Sequence, residues 1–155
     1  MTAVTVLAPV AGRATLLADV PDPVFAQQMV GPGIAVAPDA TVGGRVLAPV
    51  AGTVRALHPH AFVLVGDGEG GRGVLVHLGI DTVGLHGEGF TLHVAEGDLV
   101  VAGQHLISWD PAAVARAGLS ALCPVVALEA DPATVRRLVE PGVAVAAGDP
   151  LLALD

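Results

Sequence analysis

Lysine and tyrosine are absent from this 155-residue chain, and cysteine occurs once. A single Cys123 excludes an internal disulfide, and its place in the apolar run Leu122-Cys-Pro-Val-Val126 predicts a small core residue. Aromatic side chains are scarce, three Phe and one Trp, and charged residues make up only 14% of the chain. All basic residues are arginine, and the net charge of −8 argues against nucleic acid or an anionic membrane surface and favours a basic partner. The longest charge-free run, Pro23 to Pro38, contains three prolines and two glutamines, which excludes a membrane span. The start, Met1-Thr-Ala-Val-Thr-Val-Leu, lacks the basic opening of a secretory signal, and a cytoplasmic location is expected.

What is abundant is Ala, Val and Leu, in a chain that is 53% hydrophobic and carries 20 Gly and 12 Pro. That mixture predicts short strands and many turns in one all-β domain over residues 1–155. Two internal repeats sharpen the expectation. Leu7-Ala-Pro-Val-Ala-Gly12 recurs forty residues later as Leu47-Ala-Pro-Val-Ala-Gly52. Val94 to Leu106 is echoed forty-five residues later by Val139 to Leu151. Two copies are too few for a solenoid and point to an antiparallel sandwich or barrel with approximate two-fold internal symmetry. Two short helices are expected: Asp110-Pro111 caps Ala112–Ala117, with Gly118 as the stop, and Asp131-Pro132 caps Ala133–Val139. Prolines and glycines between Asp19 and Pro38 predict an irregular excursion anchored by Val24-Phe25, a natural wall for a site.

The chemistry concentrates between His60 and Val83. Ala61–Val65 and Val74–Leu78 read as strands joined by the glycine-rich Gly66–Gly71 turn. A turn centred between Gly68 and Glu69 places His60 directly opposite His77, with Cβ atoms roughly 5 Å apart. Alternation puts Val74, Val76 and Leu78 on the core face and His77 on the other. A lone strand histidine is ordinarily structural. Two crowded imidazoles discourage each other's charging unless something anionic or metallic lies between them.

His60-Ala-Phe62, Val76-His77-Leu-Gly-Ile-Asp-Thr-Val83 and Gly87-Glu-Gly-Phe90 resemble the glucose-type enzyme IIA family of the bacterial sugar phosphotransferase system. The similarity extends to Asp19–Ala26, Gly31–Ala35, Ala48–Thr53, Glu96–Gln104, Pro124–Val126 and Gly142–Leu152, essentially the whole chain. The resemblance implies an antiparallel β-sandwich and a phosphocarrier. His77 takes a phosphoryl group from phosphorylated HPr and passes it to a cysteine of an enzyme IIB domain. A neutral imidazole suits that task, and His60 donates a hydrogen bond to the phosphoryl group. Gly79 leaves room for the donor, while Val24, Phe25, Phe62 and Leu78 form an apolar rim. Ordinary core packing is the plain alternative for those four. Asp22 and Asp81 face arginines of HPr, with a turn-forming role as the alternative for Asp81. No cofactor is obligatory, and the unphosphorylated face is also suited to gripping regulatory protein targets.

The chain departs from the family pattern twice. His58 stands where a threonine usually helps orient the phosphorylated histidine, and Pro32 replaces an acidic residue within the Gly31-Pro-Gly33 loop. His86, His93 and His105 read as unpartnered surface residues. The rival enzyme reading is a zinc hydrolase with His58, His60, His77 and Asp81 as ligands, and adventitious zinc at His60 and His77 is a lesser form of it. Zinc endopeptidases of duplicated β fold carry their histidine elements in the opposite order. The Val94–Gln104 rhythm is similar to biotin- and lipoyl-carrying modules, but such carriage requires a lysine.

Overall fold

The computed structural model describes residues 3–42, 44–66 and 71–155. Fourteen short strands dominate it: β1 (Val4–Leu7), β2 (Gly12–Thr15), β3 (Gly33–Pro38), β4 (Arg45–Leu47), β5 (Gly52–His58), β6 (Ala61–Val65), β7 (Gly73–His77), β8 (Phe90–Leu92), β9 (Leu99–Val100), β10 (His105–Trp109), β11 (Cys123–Ala127), β12 (Val135–Arg137), β13 (Ala144–Val145) and β14 (Pro150–Leu154). Two helices, α1 (Pro23–Ala26) and α2 (Pro111–Arg116), each begin on an aspartate whose carboxylate accepts backbone N–H bonds, with proline at the first helical position. An all-β antiparallel fold is what the glycine- and proline-punctuated sequence predicts.

The strands form one eight-stranded sheet in the order β13-β2-β3-β11-β7-β6-β5-β9 and two three-stranded sheets, β1-β14-β12 and β4-β10-β8. The small sheets are copies of each other. Val135↔Leu154, Arg136↔Ala153 and Arg137↔Leu152 in one repeat Phe90↔Trp109, Thr91↔Ser108 and Leu92↔Ile107 in the other. The two Leu-Ala-Pro-Val-Ala-Gly segments clasp each other at the centre: Leu7 N–H donates to the Pro49 carbonyl and Leu47 N–H to the Pro9 carbonyl, both at 2.9 Å. At the outer ends, β9 pairs with β5 as β13 pairs with β2. The repeats are therefore the two halves of a pseudo-two-fold fold, held together by reciprocal backbone bonds.

The main core lies between the sheets. Alternate residues of the large sheet, among them Val36, Leu64, Val74, Val76 and Val125, meet Val6, Leu106, Ile107, Leu152 and Leu154 from the small ones. A second cluster covers the other face of the large sheet, where Leu17, Val20 and Phe25 pack on Ala35, Ile80 and Val126. This outer cluster brings α1 over the end of β7. Cys123 is fully buried, as its apolar context predicts, and burial pushes its thiol up to about 12.

Three local expectations change. Residues 132–134 form a single 3-10 turn and then strand β12, because pairing with β14 claims the segment read as helix. The 19–38 excursion is ordered rather than irregular, containing α1 and the whole of β3. The strands β6 and β7 pair with Ala61, not His60, opposite His77, a shift of one residue. The turn that set the expected register, residues 67–70, falls outside the described residues.

Candidate active site

The shifted register still brings the histidines together. Strand β5 ends at His58 and β6 starts at Ala61, so Pro59-His60 is a two-residue hairpin connection. On a turn, His60 is released from strand alternation. Its carbonyl accepts the Leu78 N–H at 2.7 Å, and its ring meets that of His77 edge-on with centroids 5.1 Å apart. His58 follows on the other side, its ring 5.7 Å from that of His60 and inclined by 28°. The three imidazoles form a row running inward from exposed His58 to partly buried His77.

His77 is the best anchored of the three. Phe25 lies beside it with ring centroids 5.4 Å apart. Its Nδ1 lies 2.5 Å from the Gly79 carbonyl. Because a carbonyl can only accept, Nδ1 carries the proton and Nε2 keeps its lone pair. Burial pushes His77 below the ordinary histidine range, against the opposing pull of the Gly79 carbonyl and the charges of Asp22 and Asp81. His60 is lowered as well, first by burial and then by the charges of His77 and His58. Both rings therefore favour the neutral form, and the tautomer fixed at His77 leaves the lone pair on Nε2.

The chain beyond His77 explains that fixation. Gly79 has a φ of +78°, in the left-handed region, and the turn it makes carries its carbonyl back to Nδ1. A Cβ at Gly79 would lie 2.6 Å from Thr82 Cγ2 and 3.0 Å from the Ser120 carbonyl oxygen. The Thr82 hydroxyl, fully buried, closes the same turn by donating to the Leu78 carbonyl at 2.7 Å. Gly79 thus serves by aiming a carbonyl and fitting the interior, not by leaving room on the outside. No sequence signal separated the two roles, because both call for glycine.

The expected rim divides. Val24 is 39% exposed, whereas Phe62 and Leu78 are 1% and 0% exposed and belong to the core between the sheets. Neither can form a surface, because strand pairing turns Phe62 and Leu78 to the side opposite His77. Phe25 is also buried, and its ring covers that of His77. Met29 and Val83, which the sequence reading does not single out, are large apolar side chains 68% and 63% exposed. Met29 follows α1, and its N–H bonds the Val24 carbonyl; Val83 stands two residues beyond Asp81. Asp22 is both the cap of α1, accepting Val24 N–H at 2.9 Å, and a charge felt by His77. Asp81 adopts a left-handed conformation at the head of a 3-10 turn, where its backbone carbonyl accepts the Gly84 N–H at 3.1 Å and its carboxylate makes no capping bond. Pro32 is buried, and its carbonyl accepts the Ala127 N–H at 2.9 Å, so the Gly31-Pro-Gly33 loop is seated on β11.

The hydrolytic metal site does not assemble. Among the described residues, no three His, Cys, Asp or Glu side chains converge as a metal set, so His58, His60, His77 and Asp81 do not supply the ligands a catalytic zinc requires. Asp81 acts on His77 as a nearby charge. His86, exposed, is an isolated surface residue as expected. His93 and His105 are not: their rings face each other at 4.5 Å. No helix among the described residues is long and apolar enough to cross a membrane.

Relatives carry the same architecture. A glucose permease IIA from Mycoplasma capricolum superposes with a TM-score of 0.88 at 32% identity, covering 100% of this chain and 97% of that one. The chain is 41% identical over 128 residues to a glucose-specific EIIA component of Oceanobacillus iheyensis, spanning 83% of this chain and 76% of the relative. A glucose-specific EIIA component of Halalkalibacterium halodurans is 40% identical over 126 residues, 81% of this chain and 71% of the relative. A glucose-specific EIICBA component of Streptococcus pneumoniae matches at 49% over 109 residues, 69% of this chain and 14% of that longer protein. The family described as phosphoenolpyruvate-dependent sugar phosphotransferase system, EIIA 1, matches residues 4–133. With the fold, the paired histidines and these relatives in agreement, the chain belongs to that EIIA family.

Proposed function

We propose that this protein is a glucose-type phosphocarrier that receives a phosphoryl group on Nε2 of His77 from phosphorylated HPr and delivers it to a cysteine of an enzyme IIB domain. The observation that carries the proposal is the Nδ1–H bond from His77 to the Gly79 carbonyl, which leaves Nε2 unprotonated beside the ring of His60. In the first step the Nε2 lone pair attacks phosphorus and the donor's P–N bond breaks, its electron pair returning to the donor imidazole. In the second, a cysteine thiolate attacks phosphorus and the P–Nε2 bond breaks, restoring neutral His77. The Nδ1 proton stays with the Gly79 carbonyl throughout.

Little covalent chemistry is left for the protein in such a transfer, and positioning and charge stabilisation dominate. His60 donates to a phosphoryl oxygen as charge develops. His58, stacked behind it, occupies the orienting position. Val24, Met29 and Val83 provide the exposed apolar rim that expels water when a partner docks, and Asp22 and Asp81 receive basic groups of HPr. The location of this exchange is the cytoplasm, and no cofactor takes part.

The test follows the phosphoryl group through both steps. Phosphoenolpyruvate, enzyme I and HPr should add one acid-labile phosphoryl group to the wild-type protein, seen by intact mass. A purified glucose-type IIB domain should then remove it. His60→Gln should still be phosphorylated but release the group to IIB at least about a hundredfold more slowly, within the range for a positioned donor. Normal onward transfer by His60→Gln would refute the role given to His60, and no phosphorylation of the folded wild type would refute the function.

A further inference from the structure

The pseudo-two-fold symmetry supplies an internal control for side chains the phosphocarrier site does not use. His93 follows β8 and His105 opens β10, on a small sheet distinct from the large sheet that holds His77. His93 Nε2 lies 2.8 Å from Ser108 Oγ, and His105 Nε2 lies 3.1 Å from the same oxygen and 3.0 Å from the Ile107 carbonyl. Two imidazole nitrogens from adjacent strands therefore converge on one point.

The other half of the molecule builds the same backbone without them. There Leu138 takes the place of His93, its N–H donating to the Leu151 carbonyl as that of His93 donates to Leu106. Pro150 opposes Leu7 as His105 opposes Leu47, and Ala153 opposes Thr5 as Ser108 opposes Arg45. Even the irregularity in strand register recurs. Leucine, proline and alanine satisfy the fold at these three places, so the histidines and the serine are not there to build the sheet.

We propose that His93 and His105, with Ser108 between them, form a surface site for a divalent transition metal of the Zn2+ and Cu2+ class. Imidazole is a favoured ligand for these ions, and neighbouring strands hold the two ring nitrogens together; to bind, His105 Nε2 gives up its bond to the Ile107 carbonyl and its proton moves to Nδ1. Metal binding needs neutral rings with a lone pair. No third His, Cys, Asp or Glu joins the pair among the described residues, so Ser108 or water completes the coordination and positions stay open.

The probe is Zn2+ alone, titrated into the full chain while the histidine ring signals are followed by 1H–15N NMR, which separates this site from His58, His60 and His77. The rings of His93 and His105 should shift together. His93→Gln, at an exposed position, and His105→Gln should each weaken that event by about tenfold or more. Phosphoryl acceptance at His77 should persist in His93→Gln and certify its fold. Zinc that moves only the rings of His58, His60 and His77 would overturn the proposal. So would an unchanged titration in His93→Gln, or rings that respond to inorganic phosphate and not to zinc.

Discussion

Two pairs of histidines face each other in this protein, and they differ in what surrounds them. The His60–His77 pair sits at the end of β7 under Phe25, with one Nδ1 tied to a backbone carbonyl. The His93–His105 pair lies on a small sheet, where both Nε2 atoms are tied to the Ser108 hydroxyl. The first arrangement leaves Nε2 unprotonated on a partly buried ring. The second gathers two nitrogens on one hydroxyl. Residue type is common to both; tautomer, cover and solvent access decide which chemistry each can perform.

The sharpest way to break the comparison is to remove one member of each pair. His77→Ala should abolish phosphoryl acceptance, with no added mass after exposure to phosphorylated HPr, whereas His93→Gln should accept a full equivalent. Loss of acceptance in both variants would mean that the pairs are not functionally separate.

A smaller effect separates the layers behind His77. Phe62 is fully buried, so Phe62→Ala should cost about 3–5 kcal/mol of stability in a urea titration. Val24→Ala, at a surface position, should change stability by no more than about 0.5 kcal/mol and instead weaken association with HPr. A Phe62→Ala protein of wild-type stability would restore Phe62 to the rim. Gly79→Ala comes next. Its left-handed backbone and the 2.6 Å approach to Thr82 predict a loss of about 1–3 kcal/mol. Slowed phosphorylation of the fraction that remains folded is also expected, because the carbonyl that fixes the His77 tautomer shifts.

The smallest effect is in pH. His60 and His77 have folded-state values below the unfolded value of about 6.5, so the unfolded chain binds more protons in this window. Stability should be full above pH 6.5 and decline as pH falls below it toward the lowered folded values. The double variant His60→Gln, His77→Gln should show a flatter decline in chemical denaturation at pH 7 and pH 5. An unchanged slope would mean the pair is not buried enough to resist charging.

Much of this was readable from residues alone, for reasons that are local. Asp110-Pro111 with Gly118 fixes α2 because cap, first residue and stop act within one short segment. The Leu-Ala-Pro-Val-Ala-Gly repeats reveal the two-fold because identical segments fold alike and then bond each other. The His77 block marks the site through its likeness to a family, while alternation alone correctly turns His77 away from Val74 and Val76. What could not be read depends on contacts between distant segments. Residues 135–137 become strand only because β14 is there to pair with them. The rim role of Phe62 fails through a one-residue register whose turn composition leaves several registers open. Phe25's cover over His77 and the His93–His105 pair arise from tertiary packing, which no spacing encodes.

The most direct measurement is the atom that carries the phosphorus. The phosphorylated wild-type protein, labelled with 15N at histidine, would be read by NMR for the ring nitrogen coupled to 31P. The account predicts one phosphoramidate, on Nε2 of His77, with Nδ1 still protonated. Phosphorus on Nδ1 of His77, or on His60, His93 or His105, would contradict it.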